Sequence, residues 1–127
     1  MDRIRVGVVG VGALGQHHAR VYATLPEAEL VGVVDPHPGR AEAVARPLGT
    51  AVFPNHRDLF GRVDAVSIAT PTLLHAEIGA EFLREGVHVL VEKPIAPSLE
   101  AADLLIRTAE RNGRVLQVGH LERFNPA

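Results

Sequence analysis

Short runs of consecutive apolar, mostly β-branched residues recur along the chain and alternate with longer segments of helical composition. Continuous apolar runs, unlike alternating apolar and polar positions, are typical of strands that are buried on both faces of a sheet. The pattern predicts strands at residues 4–9, 30–34, 51–53, 65–69, 87–91 and 115–118. It predicts helices at residues 13–24, 40–48, 72–85 and 98–112, with a helical turn at 56–60.

The order of these elements predicts the fold. Strand and helix alternate along the chain, and the connections are too short for anything but crossovers between parallel strands. We therefore expect an α/β fold with a doubly wound parallel sheet in a single domain, whose own helices cover both faces of the sheet. Its two βαβαβ halves, residues 1–53 and 63–118, repeat each other in topology only.

Composition and charge exclude several classes of function. The 13 basic and 15 acidic residues give a net charge of −2 with no basic block, which leaves nucleic-acid binding with little electrostatic support. No apolar run approaches the ~20 residues of a membrane helix, and the start of the chain lacks the apolar core of a signal peptide. The chain has no cysteine for a disulfide or a thiolate, and its seven histidines show no metal-ligand spacing. We expect a cytoplasmic protein that binds neither nucleic acid, membrane nor metal.

A glycine-rich segment follows the first predicted strand and opens the first predicted helix. It reads Gly-Val-Gly-Ala-Leu-Gly at residues 10–15, a glycine spacing typical of dinucleotide-binding turns. The first glycine permits a tight turn, the second lets the backbone approach a pyrophosphate, and the third lets the helix pack on the strand. The helix N-terminus then presents amide groups and a positive dipole to the phosphates. The alternative is that these glycines only shape a tight connection between strand and helix.

Asp35 ends the second predicted strand, 20 residues after Gly15, where the acid that binds the adenosine ribose is expected. Its carboxylate would accept hydrogen bonds from both ribose hydroxyls of NAD and would repel the 2′-phosphate of NADP, so NAD is the expected cofactor. Arg40 would partly offset this repulsion, but we interpret it as a solvated residue of the second helix. The alternative role for Asp35 is a helix cap or a turn before Pro36.

Polar clusters follow other strands at the same edge of the sheet, where doubly wound folds bind ligands. They are Thr70-Pro71, Glu92-Lys93-Pro94 and Gly119-His120. Lys93 is the only lysine in a sequence with 12 arginines, which indicates that a titratable amine is needed at this position. A desolvated lysine near a nicotinamide would accept the proton of an alcohol, whereas the alternative is a surface lysine paired with Glu92. His75, early in its predicted helix, is a further candidate for contact with the cofactor.

Taken in order, these segments resemble the N-terminal domain of the glucose–fructose oxidoreductase / inositol dehydrogenase (Gfo/Idh/MocA) family. The matching segments are Val-Gly-Val-Val-Gly-Val-Gly-Ala-Leu-Gly at 6–15, Val-Val-Asp at 33–35, Ala-Thr-Pro-Thr-Leu-Leu-His at 69–75, Glu-Lys-Pro at 92–94 and Val-Gly-His-Leu-Glu-Arg-Phe-Asn-Pro-Ala at 118–127. The ordered set covers nearly the whole chain and is more specific than any one motif.

The resemblance implies a Rossmann dinucleotide-binding fold and NAD(P)-dependent oxidation of a hydroxyl group on a sugar, nucleotide sugar, cyclitol or related molecule. It implies that Lys93 is catalytic and that Arg123 lies near the nicotinamide. The last segment looks most like members that act at the 3-hydroxyl of nucleotide-linked amino sugars. The residues that the family pattern assigns to the cofactor cleft are Gly10, Gly12, Ala13, Leu14, Gly15, Asp35, Thr70, Pro71, His75, Glu92, Lys93 and Arg123.

The resemblance also implies a longer protein. Family members continue into a second α/β domain that holds the substrate pocket, the catalytic histidine and the oligomer interface. We therefore expect residues 1–120 to form the dinucleotide-binding domain and residues 121–127 to begin the connection to a substrate domain that this chain lacks. On this interpretation the full-length protein is a homo-oligomer acting on a sugar-like substrate, and the 127-residue chain binds NAD without completing the reaction.

Two other functions are compatible with the same residues. One is a stand-alone NAD-binding sensor or regulatory module without catalysis, which would have no use for Lys93. The other is a module that binds a nucleotide sugar and uses the glycine-rich turn for a different diphosphate. Lys93 therefore separates the dehydrogenase from the sensor.

Overall fold

The computed structural model describes residues 3–70, 75–91 and 98–118. Within these ranges the strands are β1 (Ile4–Val9), β2 (Ala28–Val34), β3 (Ala51–Phe53), β4 (Ala65–Ile68), β5 (His88–Val91) and β6 (Leu116–Val118). The helices are α1 (Ala13–Thr24), α2 (Pro38–Leu48), α3 (His75–Arg84) and α4 (Leu99–Asn112), and a 3₁₀ helix spans His56–Leu59.

The strands form one parallel sheet in the order β3-β2-β1-β4-β5-β6. The strand order reverses between β1 and β4, which pair with each other from Val6 to Val9 of β1. The prediction of a doubly wound parallel α/β sheet is therefore confirmed. Folds of this kind bind their ligands beyond the carboxyl ends of the two strands that flank the reversal.

Local signals at the helix ends account for most of the element bounds. α1 spans the predicted residues, and α4 begins after Ser98, whose hydroxyl accepts a hydrogen bond from the amide of Ala101 at 3.1 Å. α2 begins at Pro38, two residues before the predicted start, because proline suits the first turn, where an amide hydrogen has no partner within the helix. Gly49 and Gly113 end α2 and α4 in the left-handed conformation, at φ 66° and 61°.

The other predicted elements are confirmed with shifts of one or two residues. β2 begins two residues earlier than predicted, β4 ends one residue earlier, and β5 and β6 each begin one residue later. The predicted helix at 72–85 is described from His75 to Arg84, and residues 72–74 lie outside the described part of the chain. Within residues 3–70, 75–91 and 98–118, no helix has the length and apolar character that a membrane span requires.

Two apolar clusters lie on opposite faces of the sheet. The smaller cluster packs α1 and α2 against β1 and β2, through the buried residues Val8, Val11, Ala19, Val33, Ala41 and Ala45. The larger cluster packs α3, α4 and the 3₁₀ helix against the other face, and its largest buried side chains include Leu59, Ile68, Phe82, Leu83 and Leu105. The two clusters hold β1 and β2 from both sides, which fixes the ends of the strands that carry the predicted site.

The described helices leave one face of β5 and β6 uncovered, against the expectation that the chain's own helices cover both faces of the sheet. Val89 belongs to the larger cluster and is 2% exposed, but the next residue, Leu90, points to the other face and is only half-buried. Leu90 pairs with the exposed Gln117 of β6 and, with Val115 (59% exposed), lines a groove of about 270 Å³. Tyr22 of α1 reaches the edge of this groove, and none of the other described helices lines it. We call this face of β5 and β6 the open face.

Candidate functional site

The glycine-rich turn joins the end of β1 to the start of α1 at the carboxyl edge of the sheet. Gly10 has φ +90°, a conformation that residues with a side chain rarely adopt. A Cβ at Gly10 would lie 2.9 Å from the backbone of Ala69 and from the nitrogen of Thr70. The absence of a side chain at Gly10 therefore lets the turn lie directly against the end of β4.

The other two glycines serve the packing of the helix and the access to its first turn. A Cβ at Gly15 would lie 1.7 Å from the carbonyl oxygen of Gly10, so only glycine lets α1 pack against the turn. A Cβ at Gly12 would meet nothing within 4 Å, and no side chain of the described residues caps α1 at this position. Open space therefore adjoins the amide groups of the first turn of α1, as an approaching phosphate requires.

Ala13 and Leu14 occupy the first turn of α1 and are exposed, with Leu14 at 42%. An exposed leucine beside a glycine-rich turn presents apolar surface next to the amide groups at the helix N-terminus. This surface lies where the sequence predicts contact with the cofactor.

Asp35 follows β2 and reaches back to the glycine-rich turn. Its side chain is 1% exposed, and Oδ2 accepts a hydrogen bond from the amide of Val11 at 2.9 Å. Oδ1 accepts one from the amide of His37, also at 2.9 Å. The carboxylate thus joins the turn after β1 to the loop after β2.

Arg40 makes two further hydrogen bonds to the same carboxylate. Its Nε donates to Oδ2 at 3.1 Å and its Nη2 donates to Oδ1 at 2.9 Å, which is the two-pronged geometry that favours an arginine–carboxylate pair. Burial acts to raise the pKa of Asp35, but the hydrogen bonds from Arg40 and from the amides of Val11 and His37 outweigh it. The pKa therefore lies below its ordinary value, and the group is a carboxylate at neutral pH.

The interpretation of Arg40 as a solvated helix residue is therefore wrong. Its side chain is 44% exposed, but its guanidinium is bound to Asp35. Arg40 lies in the first turn of α2. Because helical side chains lean towards the N-terminus, a residue in this turn points back to the end of β2. An arginine one turn after a buried strand-end acid is the signal that identifies this pair.

The remaining predicted residues are only partly described. Thr70 follows β4, is half-buried and lies next to Gly10, at the same edge of the sheet as Asp35. The backbone of His75 begins α3, but its side chain lies outside the described residues. Four predicted site residues fall wholly outside residues 3–70, 75–91 and 98–118, namely Pro71, Glu92, Lys93 and Arg123.

The described groups suit the adenosine and pyrophosphate portions of a dinucleotide. A turn with open space over its second glycine, a helix N-terminus and a buried carboxylate all lie at the carboxyl ends of β1, β2 and β4. These are the groups that hold pyrophosphate and ribose in folds with this strand order, and they adjoin the reversal between β1 and β4.

Comparison with known proteins agrees with this geometry. The model of the Gfo/Idh/MocA family, described as an oxidoreductase family with an NAD-binding Rossmann fold, matches residues 4–120. The chain is 43% identical over its whole length to UDP-N-acetylglucosamine 3-dehydrogenase from Acidithiobacillus ferrooxidans, of which it covers 40%. It is 39% identical over 129 residues to scyllo-inositol 2-dehydrogenase (NAD(+)) from Bacillus subtilis, with 98% of this chain and 38% of that protein covered.

A solved structure supports the same assignment. The crystal structure of GenD2 from gentamicin A biosynthesis, in complex with NAD, superimposes with a TM-score of 0.90 at 34% identity and covers 94% of this chain. The chain covers 35% of GenD2, and it spans about two-fifths of the length of the curated relatives named above. The match of the family model and these relatives confirm the resemblance seen in the sequence: the chain belongs to the Gfo/Idh/MocA oxidoreductase family and represents its NAD-binding Rossmann domain.

Proposed function

We propose that this chain is the cofactor-binding part of a dehydrogenase that oxidises a hydroxyl group of a sugar, nucleotide sugar or cyclitol. NAD supplies the acceptor for the hydride when it is bound. The observation that carries the proposal is the contact between the amide of Val11 and the carboxylate of Asp35, at 2.9 Å. It joins the glycine-rich turn to the ribose-binding acid beside the reversal of strand order. Membership of an oxidoreductase family supports the assignment to hydroxyl oxidation.

The names of the relatives narrow the substrate class. UDP-N-acetylglucosamine 3-dehydrogenase and scyllo-inositol 2-dehydrogenase both act on a secondary hydroxyl of a six-membered ring. We therefore propose a ring hydroxyl as the site of oxidation, with the 3-hydroxyl of a nucleotide-linked amino sugar as the first candidate. NAD is preferred over NADP in this proposal because Asp35 is a buried carboxylate that repels a 2′-phosphate.

The residues divide between the two ends of the cofactor. At the adenosine and pyrophosphate end we assign Gly10, Gly12, Ala13, Leu14, Gly15 and Asp35. At the nicotinamide end we assign Lys93 and Arg123, with Lys93 as the base that takes the hydroxyl proton, and we assign Thr70, Pro71, His75 and Glu92 to the lining of the same cleft. A lysine suits this role because desolvation and a nearby positive charge lower the pKa of an amine towards neutrality.

The whole protein is proposed to be longer than the 127 residues given. Residues 1–120 would form the dinucleotide-binding domain, and residues 121–127 would begin the connection to a second domain that binds the sugar-like substrate. This organisation is proposed because the chain covers only 40% of UDP-N-acetylglucosamine 3-dehydrogenase. We further propose that the full-length protein is a cytoplasmic homo-oligomer, and that the 127-residue chain alone does not turn over substrate.

Titration of the 127-residue chain with NAD tests the cofactor assignment. At 100 times the dissociation constant, NAD should add about 2.7 kcal/mol to the free energy of unfolding, which is several degrees in melting temperature at this size. Gly12→Val serves as a folded variant without NAD binding, because Gly12 has φ −68° and a Cβ there would meet nothing within 4 Å. This variant should fold normally but lose NAD binding, since its side chain occupies the approach of the phosphates. If saturating NAD leaves the melting temperature of the wild-type chain unchanged, the assignment of NAD as the cofactor is contradicted.

Turnover of a full-length protein tests the catalytic assignment and separates it from a sensor. With UDP-N-acetylglucosamine, inositols and glucose 6-phosphate as candidate substrates, Lys93→Met should lower turnover about 10²–10⁴-fold, the usual share of general base catalysis. NAD affinity should change far less, because the lysine is assigned to the substrate side of the ring. NAD binding without turnover of any hydroxyl compound would favour the sensor instead.

A further inference from the structure

The carboxylate of Asp35 has no acceptor site left for a ribose. A carboxylate offers about four lone-pair sites. The amides of Val11 and His37 take one site on each oxygen, and Nε and Nη2 of Arg40 take the other two. Each of the four distances is between 2.9 and 3.1 Å, so all four are well-formed hydrogen bonds.

The four donors differ in how easily they can leave. The amides of Val11 and His37 belong to the backbone of the glycine-rich turn and of the loop before α2, so their positions are set by the fold. Arg40 is held only by its side chain, which is 44% exposed and lines a groove of about 220 Å³ between α1 and α2. Free space therefore adjoins the one donor that can move. Any new partner of Asp35 must take the place of Arg40.

A ribose diol and the arginine fork present the same number of donors to Asp35. The two hydroxyls of the adenosine ribose donate two hydrogen bonds, and the arginine donates two, so both partners require the same two lone-pair sites. We propose that Arg40 competes with the ribose of NAD for Asp35 and so limits the preference of this site for NAD over NADP. This inference rests on the proposed function, because it assumes that the ribose binds at Asp35.

The same exchange would weaken the discrimination of Asp35 against NADP. When the two hydroxyls of the NAD ribose take over Asp35, the guanidinium of Arg40 is released and gains no new partner. The ribose of NADP keeps only its 3′-hydroxyl as a donor to Asp35, but its 2′-phosphate offers the guanidinium a two-pronged pair. Arg40 thus offsets the repulsion between the carboxylate and the 2′-phosphate, and it imposes a cost of displacement on NAD.

Removal of the guanidinium tests the proposal through the ratio of the dissociation constants for NADP and NAD. In Arg40→Met this ratio should rise about ten-fold or more, because NAD no longer displaces a partner and NADP loses its cation. Arg40→Lys retains a positive charge without the two-pronged geometry, so its ratio should lie between those of the wild type and Arg40→Met. Arg46→Met is the matched control, since Arg46 is also on α2 but pairs only weakly with Glu42, at 3.4 Å and 80% exposure. A ratio in Arg40→Met within about two-fold of the Arg46→Met value, or a lower one, would overturn the inference.

A measurement on the unaltered chain avoids any effect of the substitutions on folding. In ¹⁵N spectra of arginine side chains, the Nε–H of Arg40 should exchange slowly with water, because it donates to a buried carboxylate. Saturating NAD should raise its exchange rate to that of Arg46, because the ribose then holds Asp35. If NAD binds and the Arg40 signal stays protected, the competition does not occur. If NAD does not bind at all, the proposed function itself fails, so the two failures are distinguishable.

Discussion

The two halves of the sheet both consist of apolar parallel strands, but the described helices cover their faces to different extents. In the first half, β1–β3, Val8 and Val33 are buried against α1 and α2, while Val9 and Val34 belong to the cluster on the opposite face. In the second half, α3 and α4 bury one face only. The open face leaves Leu90 half-buried in the middle of an apolar strand.

The predicted site residues follow the same division. The glycine-rich turn and Asp35 lie at the ends of β1 and β2, in the half that the chain covers on both faces. Glu92 and Lys93 follow β5, and Arg123 follows β6, in the half with the open face. Groups that hold a ligand work best when the surrounding packing fixes them in advance. On the proposed assignment, the residues that anchor the cofactor therefore lie in the half that the described helices cover on both faces, and the residues assigned to the chemistry follow the strands with the open face.

The largest effect expected from this comparison is the loss of stability caused by a methyl group at Gly15. A Cβ there would lie 1.7 Å from a backbone oxygen, which has no freedom to move aside. Gly15→Ala should lower the free energy of unfolding by about 3 kcal/mol, the upper end of the usual range for overpacking. NAD binding should be lost with it, because α1 can no longer pack against the turn. Urea unfolding and calorimetric titration measure the two losses.

Two other glycines serve as controls for this substitution. Gly39→Ala should be neutral or slightly stabilising, because a Cβ there meets nothing within 4 Å. Gly79→Ala, in the second half, should cost about 1 kcal/mol, since the nearest atom is the side chain of Leu105 at 2.7 Å, which can shift. If Gly79→Ala costs as much as Gly15→Ala, the contrast in rigidity between the halves does not hold.

A smaller effect is expected from removing the carboxylate of Asp35. Asp35→Ala should weaken NAD binding about ten-fold or more and narrow the gap between NAD and NADP, because hydrogen bonds to a charged group are worth about 1.5–3 kcal/mol. Calorimetric titration with both dinucleotides measures the change. An unaltered affinity for NAD would mean that Asp35 only supports the turn.

Glu81 of α3 provides the matched control for Asp35 in the second half. It accepts hydrogen bonds from Arg57 at 2.7 Å and from His56 at 3.1 Å, if the histidine ring nitrogen carries the proton. Burial acts to raise the pKa of Glu81, and these partners outweigh it, so this pKa is lowered as well. Glu81→Ala should leave NAD affinity within about two-fold of wild type, because its partners among the described residues, His56 and Arg57, belong neither to the turn nor to the loop after β2. Loss of NAD binding in this variant would contradict the division of roles.

The sequence was sufficient for the alternation of parallel strands and helices and for the position of the glycine-rich turn, because both depend on local patterns. A strand followed by glycines at fixed spacing, and an acid at the end of the next strand, are set within about 35 residues. The pair between Asp35 and Arg40 was missed because helical periodicity alone does not show that a side chain in the first turn of α2 points back to the end of β2.

The open face could not be predicted for a different reason. The residues of β5 read His-Val-Leu-Val, which is as apolar as the end of β2, where both faces are covered. An apolar run indicates that a strand is compatible with burial on both faces, but it does not say which element covers each face. Only the placement of α1 to α4 in space shows that Leu90 and Val115 are left uncovered by them.

The smallest expected effect concerns two valines close together at the amino end of β5 and β6. Val89 is 2% exposed within the larger cluster, whereas Val115 is 59% exposed beside the open face. Val89→Thr should cost about 1–3 kcal/mol, because it buries a hydroxyl among apolar side chains, whereas Val115→Thr should change the free energy of unfolding by less than about 0.5 kcal/mol. Urea unfolding of both variants makes the comparison with the chemical change held constant. A cost at Val115 close to that at Val89 would mean that this edge of the sheet is covered in the 127-residue chain, by a second copy or by its own terminal segment, and a concentration-dependent melting temperature would identify the second copy.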